Sequence, residues 1–375
     1  MIQIKEIDPS DRRLFKKFIE FPNDLYKGCS HYVPYLYGDE MSLLDPEKNA
    51  SFDECKAKFF LAYKDGKIAG RVCGLIQTKS NEIHGEKQVR FTRFDFIDDI
   101  EVARALLDAV EDFGRSEGMT EIHGPFGFND MDKEGMLSYG FDRDVTMATL
   151  YNYDYYVPTL EKLGYKVKCE WLEFLIKVPD KVPDKVARVA QIAERHNNLR
   201  YLTLKSKKDL RENWMQKILD CYDETYSSLP GTVPLSEKLR QQIADQFLII
   251  MNLDFFPVII NEQEEVVAFG LSFPKVCNCI KKSRGHLYPG ALIKLLREVR
   301  NPTGIELGII GVKDNYRKSG AVAMILKSVI EALIDRGIDS VETNCELVDN
   351  SKIQTLFAGF EREQHKRRVS LIKEL

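Results

Sequence analysis

The sequence predicts an α/β protein in which one fold occurs twice, each time as a mixed sheet flanked by helices. The two halves of the 375-residue chain show the same order of strand and helix patterns, and such alternation is typical of sheets covered by helices. Between them, a Val-Pro-Asp-Lys tetrapeptide is repeated over residues 178–185, where its prolines disfavour a continuous helix or strand. We therefore predict an N-terminal domain over 1–177, a linker with a short helix over 178–198, and a C-terminal domain over 199–375.

In the first half, alternating apolar residues predict strands, and an Asp-Gly pair predicts a tight turn. In order, the predicted elements are strand 2–7, a helix from Asp11, strands 59–63 and 68–76 joined at Asp65-Gly66, strand 89–96, a helix and strand 121–124. That helix is strongly periodic, with Gly118 beyond its end. Its apolar face contains Ala103, Leu106, Leu107, Val110 and Phe113.

The second half repeats this order after a short amphipathic helix that Asp184 is placed to cap. The predicted elements are strand 200–204, helices 209–226 and 235–252, strands 258–261 and 266–273, strand 305–312, helix 321–335, strand 340–347, a short helix from about Ser351, and strand 367–373. The recurrence of the order in both halves predicts a duplicated fold.

Composition excludes several classes of protein. Apolar residues at 44% and charged residues at 30% are ordinary for a globular chain. A net charge of -4 argues against a general nucleic-acid binder. Neither a signal peptide nor an apolar run of the ~20 residues that span a bilayer is visible, so we expect a cytoplasmic protein without a membrane partner.

The eight cysteines are scattered, which fits reduced thiols. One residue separates Cys277 from Cys279, less than zinc sites use, and we expect no metal site.

The segment from Leu307 to Ala321 carries the strongest functional signal. Its strand leads into Arg317-Lys318-Ser319-Gly320-Ala321 and then into a helix. Exposed N–H groups and the helix dipole favour an anion there, with two cations adjacent. The alternative is a plain polar loop that caps the helix.

This arrangement resembles the GNAT superfamily of acyl-coenzyme A-dependent N-acyltransferases, whose Arg-x-x-Gly-x-Gly/Ala turn cradles the coenzyme A pyrophosphate. The resemblance implies two tandem GNAT-like domains with mostly antiparallel sheets, and acetyl-CoA or another acyl-CoA as donor. Val322 departs from the pattern at its last position. By this resemblance the residues for the cofactor are Ile310, Gly311, Val312, Arg317, Lys318, Ser319, Gly320, Ala321, Asn350 and Phe357.

The resemblance also implies a tyrosine that protonates the departing thiolate, and Phe357 stands in its place. Tyr316 and Cys345 are the alternative donors, and water is a third. An ammonium acceptor must lose a proton before it attacks the thioester, and Glu306, followed by Glu346, is the predicted base. A solvated carboxylate at a strand end is the alternative for either residue.

The first half resembles the same superfamily at Leu160–Tyr165, a Leu-x-x-x-Gly-aromatic ending. Its phosphate position instead holds Asp98, Asp99 and Glu101 without a glycine, which would repel pyrophosphate. We predict that this copy does not bind coenzyme A in the usual way.

The first-half loops 123–130 and 135–142 are rich in Gly, aromatics and Asn/Asp, as ligand-lining loops tend to be. Together with Pro22, Leu25 and Tyr26 and with Tyr32-Val33-Pro34, they resemble an uncharacterised bacterial family of GNAT-like proteins. Tyrosines 151, 153, 155 and 156 would either line an acyl or acceptor pocket or pack as a half-buried strand.

The function that these observations favour is N-acyl transfer from acyl-CoA to a small-molecule amine in the second copy. Two alternatives stay open: a degenerate double fold that binds a small molecule or a protein, and a tandem-fold transferase that draws its acyl group from aminoacyl-tRNA. The acidic chain offers no obvious basic groove for the latter.

Overall fold

A computed structural model describes residues 1–129, 131–227 and 232–375. Within these ranges, fourteen strands form one continuous sheet. They are β1 (Ile2–Ile7), β2 (Cys55–Lys64), β3 (Lys67–Gln77), β4 (Gln88–Phe96), β5 (Glu121–Gly124), β6 (Met136–Tyr139), β7 (Lys166–Lys177), β8 (Arg200–Tyr201), β9 (Val258–Ile260), β10 (Val266–Pro274), β11 (Ile305–Val312), β12 (Ser340–Thr343), β13 (Glu346–Leu347) and β14 (Arg362–Glu374).

The helices of the same ranges pack against this sheet. They are α1 (Arg12–Leu25), α2 (Tyr37–Leu43), α3 (Thr78–His84), α4 (Ile100–Ser116), α5 (Tyr156–Lys162), α6 (Asp184–His196), α7 (Lys207–Asp209), α8 (Met215–Tyr226), α9 (Glu237–Ile250), α10 (Cys277–Ser283), α11 (Pro289–Arg300), α12 (Ala321–Asp335) and α13 (Ser351–Leu356).

The two halves exchange their last strands. The sheet order is β1-β2-β3-β4-β5-β14-β7-β12-β11-β10-β9-β8, with β6 paired to β14 and β13 paired to β7. The last strand of the second half, β14, thus lies between β5 and β7 of the first half, and β7 lies beside β12 of the second. Neither half has a complete sheet of its own.

Buried ion pairs join the exchanged strands β7 and β14 to each other and to β12, a region termed the strand seam. Glu173 on β7 contacts both Lys366 and Arg368 on β14, and all three side chains are fully buried. Lys366 also pairs with Glu342 on β12, so the network joins three strands from both halves. Because each buried charge has an opposite partner, the desolvation penalty is offset only while the network is complete.

Two parallel strand pairs occupy equivalent places in the two halves. β4 pairs with β5 in parallel only over Gln88–Arg90, and β11 pairs with β12 only over Ile305–Leu307. Beyond these three residues, each pair diverges. The other pairings in the described sheet are antiparallel, as the sequence analysis predicts.

Sequence periodicity identified the main helices because their apolar faces are the core faces. All five residues predicted for the apolar face of α4 are buried, and β11 and α12 have the predicted bounds. The predicted strand 340–347 is interrupted after Thr343, where the chain leaves β11 and resumes as β13 against β7.

The tyrosine segment does not form a strand. Tyr151 and Tyr153 lie in irregular chain, and Tyr156 begins α5. Their rings pack in the core, with centroid distances of 5.6 Å from Tyr151 to Tyr26 and 4.4 Å from Tyr156 to Phe96. These rings therefore pack in an aromatic cluster in the core, and the half-buried strand that the packing alternative assumed does not form.

Candidate active site

A cleft of about 330 Å³ opens where β11 and β12 diverge. The last bond between the two strands runs from the Asn344 N–H to the Leu307 carbonyl, at 3.1 Å. The walls come from both faces of the sheet: Leu326 and Val329 of α12 on one side, Tyr226 of α8 and Phe247 of α9 on the other. The cleft therefore passes through the sheet, and its walls are mainly apolar.

A β-bulge at Gly308 shapes the strand that borders the cleft. The register of β10 against β11 shifts between Leu271 and Ser272. A Cβ atom at Gly308 would lie 2.6 Å from the Leu271 carbonyl oxygen and 2.8 Å from the Phe273 ring, so only glycine fits. The bulge turns β11 away from β12, as bulges bend the strand that carries them.

Past the bulge, β11 presents an open backbone edge. The Lys313 N–H donates a hydrogen bond to the Val267 carbonyl on β10. Because hydrogen-bonding directions alternate along an antiparallel strand, the N–H groups of Ile310 and Val312 point away from β10. The carbonyl of Ile310 already accepts a bond from outside the sheet, from the Tyr226 hydroxyl at 3.1 Å. These predicted cofactor residues thus lie at an edge that an extended ligand can pair with.

The N-terminus of α12 fits an anionic group. Gly320 adopts φ +87°, and its Cα lies against α6, where an added Cβ would be 2.9 Å from Ala193. The Ser319 hydroxyl accepts from the Ala321 N–H. The N–H groups of Val322 and Ala323 fall in the first turn and have no intrahelical acceptor, while Arg317 and Lys318 are exposed beside them. Orphan donors and cations together suit a pyrophosphate.

The equivalent terminus in the first half is already filled. The Asp99 carboxylate caps α4 by accepting from the Glu101 N–H at 2.9 Å, and Lys64 pairs with it. The β4 edge is filled too, because Phe96 is bonded through its N–H to Tyr156 and through its carbonyl to Tyr155, at 3.1 and 2.6 Å. Internal groups occupy both positions that a coenzyme would use.

Glu346 lines the cleft, as do Asp132 and Glu134 of the first half. Glu346 is 7% exposed, and neither of its oxygens meets hydrogen-bond geometry with a partner among the described residues. Burial raises its pKa to about 7, although Arg362 and the Thr343 hydroxyl act in the opposite direction. A buried carboxylate with this pKa can accept a proton near neutral pH.

Glu306 lies outside the cleft lining. It is 1% exposed, accepts from the Met147 N–H at 3.1 Å and from the Cys277 thiol at 3.4 Å, and faces α10. Burial, with a smaller effect from Glu342, raises its pKa to about 7. The structure thus separates the two glutamates that the sequence analysis considered together.

The two predicted proton donors lie in different places. Tyr316 is away from the cleft lining, and its hydroxyl accepts from Asn261 at 3.1 Å. Cys345 lines the cleft, and burial raises the pKa of its thiol far above the usual value. A thiol with so high a pKa is a poor acid at neutral pH.

Asn350 and Phe357 both line the cleft. Asn350 caps α13 by accepting from the Ile353 N–H at 3.4 Å, and Phe357 ends α13 against Phe360. In this place Phe357 contributes apolar surface and no proton.

The sequence analysis missed Tyr226 as a site residue. It ends α8, far in sequence from the motif that Phe357 occupies, and no local signal distinguishes it from the core tyrosines. Its hydroxyl nevertheless lies at the edge of β11.

A first-half loop also forms part of the wall, through Met131, Glu134 and Thr149. These residues lie between or just after the Gly- and aromatic-rich loops highlighted above. Asp130, within the first of these loops, is outside the described residues.

Among the described residues, no helix combines the length and apolarity needed to cross a bilayer.

No protein-family model matches the sequence. The chain is 26% identical over 374 residues to Protein YghO of Escherichia coli strain K12, which covers 94% of this chain and 90% of the relative. It is 27% identical over 317 residues to a bacterial ceramide synthase of Caulobacter vibrioides, covering 81% of this chain and 79% of that protein.

The fold matches a solved tandem GNAT protein from the clavulanic acid biosynthesis pathway. The TM-score is 0.57 at 10% identity, and the match covers 100% of this chain and 98% of the other. The predicted fold class is confirmed: the chain has two tandem GNAT-like folds in a mixed α/β architecture.

Proposed function

We propose that this protein, whose fold is that of tandem GNAT proteins, is an N-acyltransferase that moves a long acyl group from acyl-CoA to the amine of an amphiphilic acceptor. The observation that carries the proposal is the apolar cleft through the splayed strands, with the buried carboxylate of Glu346 in its wall. Short acetyl transfer to a polar amine would not require so extensive an apolar lining, because apolar walls stabilise apolar ligand surface.

The relatives support this choice of substrate class. A ceramide is an amide between a fatty acid and a long-chain amino alcohol, and one relative bears the name of a ceramide synthase. At 27% identity this name supports the reaction type, acyl transfer to an amine.

The donor would lie along β11 and the N-terminus of α12. Val322 and Ala323 would offer N–H groups to the pyrophosphate, and Arg317 and Lys318 would add charge, by the anion preference of helix N-termini. The Ile310 N–H would donate to the thioester oxygen and stabilise the oxyanion that forms when the amine attacks.

Glu346 would remove the proton of the ammonium, directly or through one water, so that the neutral amine can attack the thioester carbon. The Tyr226 hydroxyl would protonate the leaving thiolate, in place of the tyrosine that Phe357 replaces. The C–N bond forms, the C–S bond breaks, and the ammonium gives up two protons in all. One passes through Glu346 to the solvent, and the other leaves the nitrogen of the tetrahedral intermediate and is balanced by the proton that ends on the coenzyme A thiol.

The degenerate binding module is less well supported, because the cleft contains a buried carboxylate whose pKa is raised to about 7. Such a pKa suits proton transfer, which binding alone does not require.

The test begins with thermal-shift titrations of the full chain with free coenzyme A, acetyl-CoA and long-chain acyl-CoA. A binding ligand raises Tm by mass action, and we expect the largest rise with the long chain. Thiol release is then measured with long-chain amino alcohols and with short amines, and the product is identified by mass spectrometry. Amine-dependent amide formation is the expected result.

Glu346→Gln is the matched control, because it should keep the thermal shift and lose turnover. Absence of any shift with all three ligands, or thiol release that does not depend on an amine, would sink the proposal.

A further inference from the structure

Exposed apolar side chains concentrate on one surface around α11. Of the twelve large hydrophobic residues that are exposed in the described chain, five lie within residues 287–296. They are Leu287, Tyr288, Leu292, Ile293 and Leu296. Ile293 is 67% exposed and Leu296 is 48% exposed. We term this group the α11 surface, and the described part of the chain leaves each of its residues at least 37% exposed.

The same segment is strongly basic. Residues 275–300 contain seven lysines and arginines and one carboxylate, Glu298, in a chain whose net charge is -4. Within the described residues, Lys282, Lys294, Arg297 and Arg300 form no ion pair within 4 Å, whereas Lys275, Lys281 and Arg284 pair with Glu342, Asp144 and Asp24. Four of the seven positive charges are therefore without an ion pair, and three of these four lie on α11 itself.

The helical spacing sorts the residues of α11 into faces. Ala291, Leu295 and Val299 recur four apart and are buried. Leu292 and Leu296, also four apart, form the exposed apolar face next to them. Arg297 and Arg300 follow Ile293 by four and seven residues and therefore share its side of the helix, next to Leu296. Apolar and basic side chains thus lie side by side on the exposed part of α11, as in helices that bind at a membrane interface.

We propose that the α11 surface docks on an anionic lipid bilayer, with Ile293 and Leu296 entering the boundary between headgroups and acyl chains. The basic side chains would contact the headgroups, where each Lys or Arg adds an attraction to anionic lipid. A nucleic acid would also satisfy the charge, but it would leave the exposed leucine and isoleucine side chains without apolar partners. This proposal departs from the expectation of no membrane partner, which rested on the lack of a spanning segment.

The α11 surface adjoins the cleft wall. α9 packs against α11, and the Asn252 side chain just beyond α9 donates to the Val299 carbonyl at 2.9 Å. Phe247 of α9 lines the cleft, while Ile249, two residues later, is 49% exposed. Docking would thus place the cleft wall near the bilayer, from which an amphiphilic substrate could be drawn. The docking itself does not depend on the proposed reaction.

The test is co-sedimentation of the full chain with vesicles of phosphatidylcholine, with and without about one third phosphatidylglycerol. We expect binding to the anionic vesicles that weakens as ionic strength rises from about 0.1 M to about 0.5 M, because salt screens the charges. Ile293→Ser with Leu296→Ser should lower the partition coefficient about tenfold through lost apolar burial. Lys294→Gln with Arg297→Gln should lower it about fivefold per charge.

The matched control replaces an exposed isoleucine and a basic residue on another helix, Ile192→Ser with Arg195→Gln on α6, and should bind as the unchanged chain does. Circular dichroism and Tm check that each variant folds. The proposal is overturned if the unchanged chain does not bind anionic vesicles, or if the control loses binding equally. If the unchanged chain instead self-associates or binds RNA through these residues, the α11 variants will lose that interaction and vesicle binding will be absent, which also overturns the proposal.

Discussion

The two candidate bases, Glu306 and Glu346, differ in their surroundings. Glu306 and Glu346 both have pKa values raised to about 7 by burial. Glu306 accepts two hydrogen bonds on a face that the cleft does not reach, whereas Glu346 lines the cleft. The difference of environment gives them different predicted roles.

Replacing Glu346 with Gln should abolish the acidic limb of the pH profile. In the unchanged protein, kcat/KM should rise with pH through about 7, because only the ionised form of Glu346 accepts a proton. Turnover of Glu346→Gln should fall by about 100-fold or more and lose that limb. Glu306→Gln is the control, and equal losses in both variants would remove Glu346 from the mechanism.

The same variant has a second readout in stability. Burial raises the folded pKa of Glu346 above its ordinary value of 4.5, so ionisation lowers stability as pH rises from about 4.5 through 7. Glu346→Gln should therefore match the unchanged protein near pH 4 and be more stable near pH 8, as urea unfolding at the two pH values would show.

Replacing Tyr226 with Phe should lower kcat about 10- to 100-fold while KM for acyl-CoA changes little, because the hydroxyl acts on the leaving thiolate. Steady-state kinetics with donors of different leaving-group acidity would show it, since a more acidic thiol needs the donor less. Tyr222→Phe, whose ring stacks on Tyr226 at 4.8 Å, is the control. A normal kcat in Tyr226→Phe would return the role to Cys345 or to water.

At the scale of elements, the N-termini of α4 and α12 occupy equivalent positions in the two halves but differ in what fills them. Asp99 caps α4 and fills its N-terminus, whereas Gly320 leaves the N-terminus of α12 free of a side-chain anion. A carboxylate at a helix N-terminus substitutes for a phosphate, because both satisfy the same N–H groups.

Charge reversal at the α12 terminus should raise KM for acyl-CoA. We expect Lys318→Glu to raise it about tenfold and leave kcat nearly unchanged, since the phosphates are remote from the reacting carbon. Gly320 is a poor site for this test, because any Cβ there meets α6. Lys64→Glu, at the first-half terminus, is the matched control and should leave KM unchanged.

The strand seam makes a separate prediction. Glu173→Leu would leave Lys366 and Arg368 buried with their shared anion removed. Breaking one partner of a buried network costs about 3–5 kcal/mol of unfolding free energy. Chemical denaturation measures the loss, and the exposed pair Lys177–Glu361 offers a control, since Glu361→Leu should change stability by under about 1 kcal/mol.

At the scale of the whole molecule, the exchange of β7 and β14 makes the halves interdependent. A cut between Asp180 and Lys181, both exposed in the linker, leaves the sheet pairings intact. We expect fragments 1–180 and 181–375 to co-purify as a folded complex when made together and to be poorly folded when made apart, because each lacks the strand that completes its sheet.

Gel filtration and circular dichroism of the separate and combined fragments make the comparison. A monomeric, cooperatively folded fragment 1–180 would show that the first half folds without β14. The strand exchange would then not be required for folding.

Local patterns in the sequence determined the duplicated element order, the bounds of β11 and α12, the core face of α4 and the acidic block at the first phosphate position. These features depend on neighbours within a turn or a strand, where periodicity and capping act directly. Asp99 is an example, since its capping role depends on residues two or three positions away.

Tertiary structure alone decided which strands are partners and which of the two candidate bases, Glu306 or Glu346, lines the cleft. Pairing of β14 with β7 joins residues about 200 positions apart, and its pairing with β5 joins residues about 250 positions apart. Similar strands in the two halves carry no local mark of which sheet they complete. Likewise, Glu306 and Glu346 both follow strand patterns, but only the bulge at Gly308 and the divergence of β11 from β12 open a space beside one of them. Burial, which sets the pKa of each, is a property of the packed fold and of no short segment.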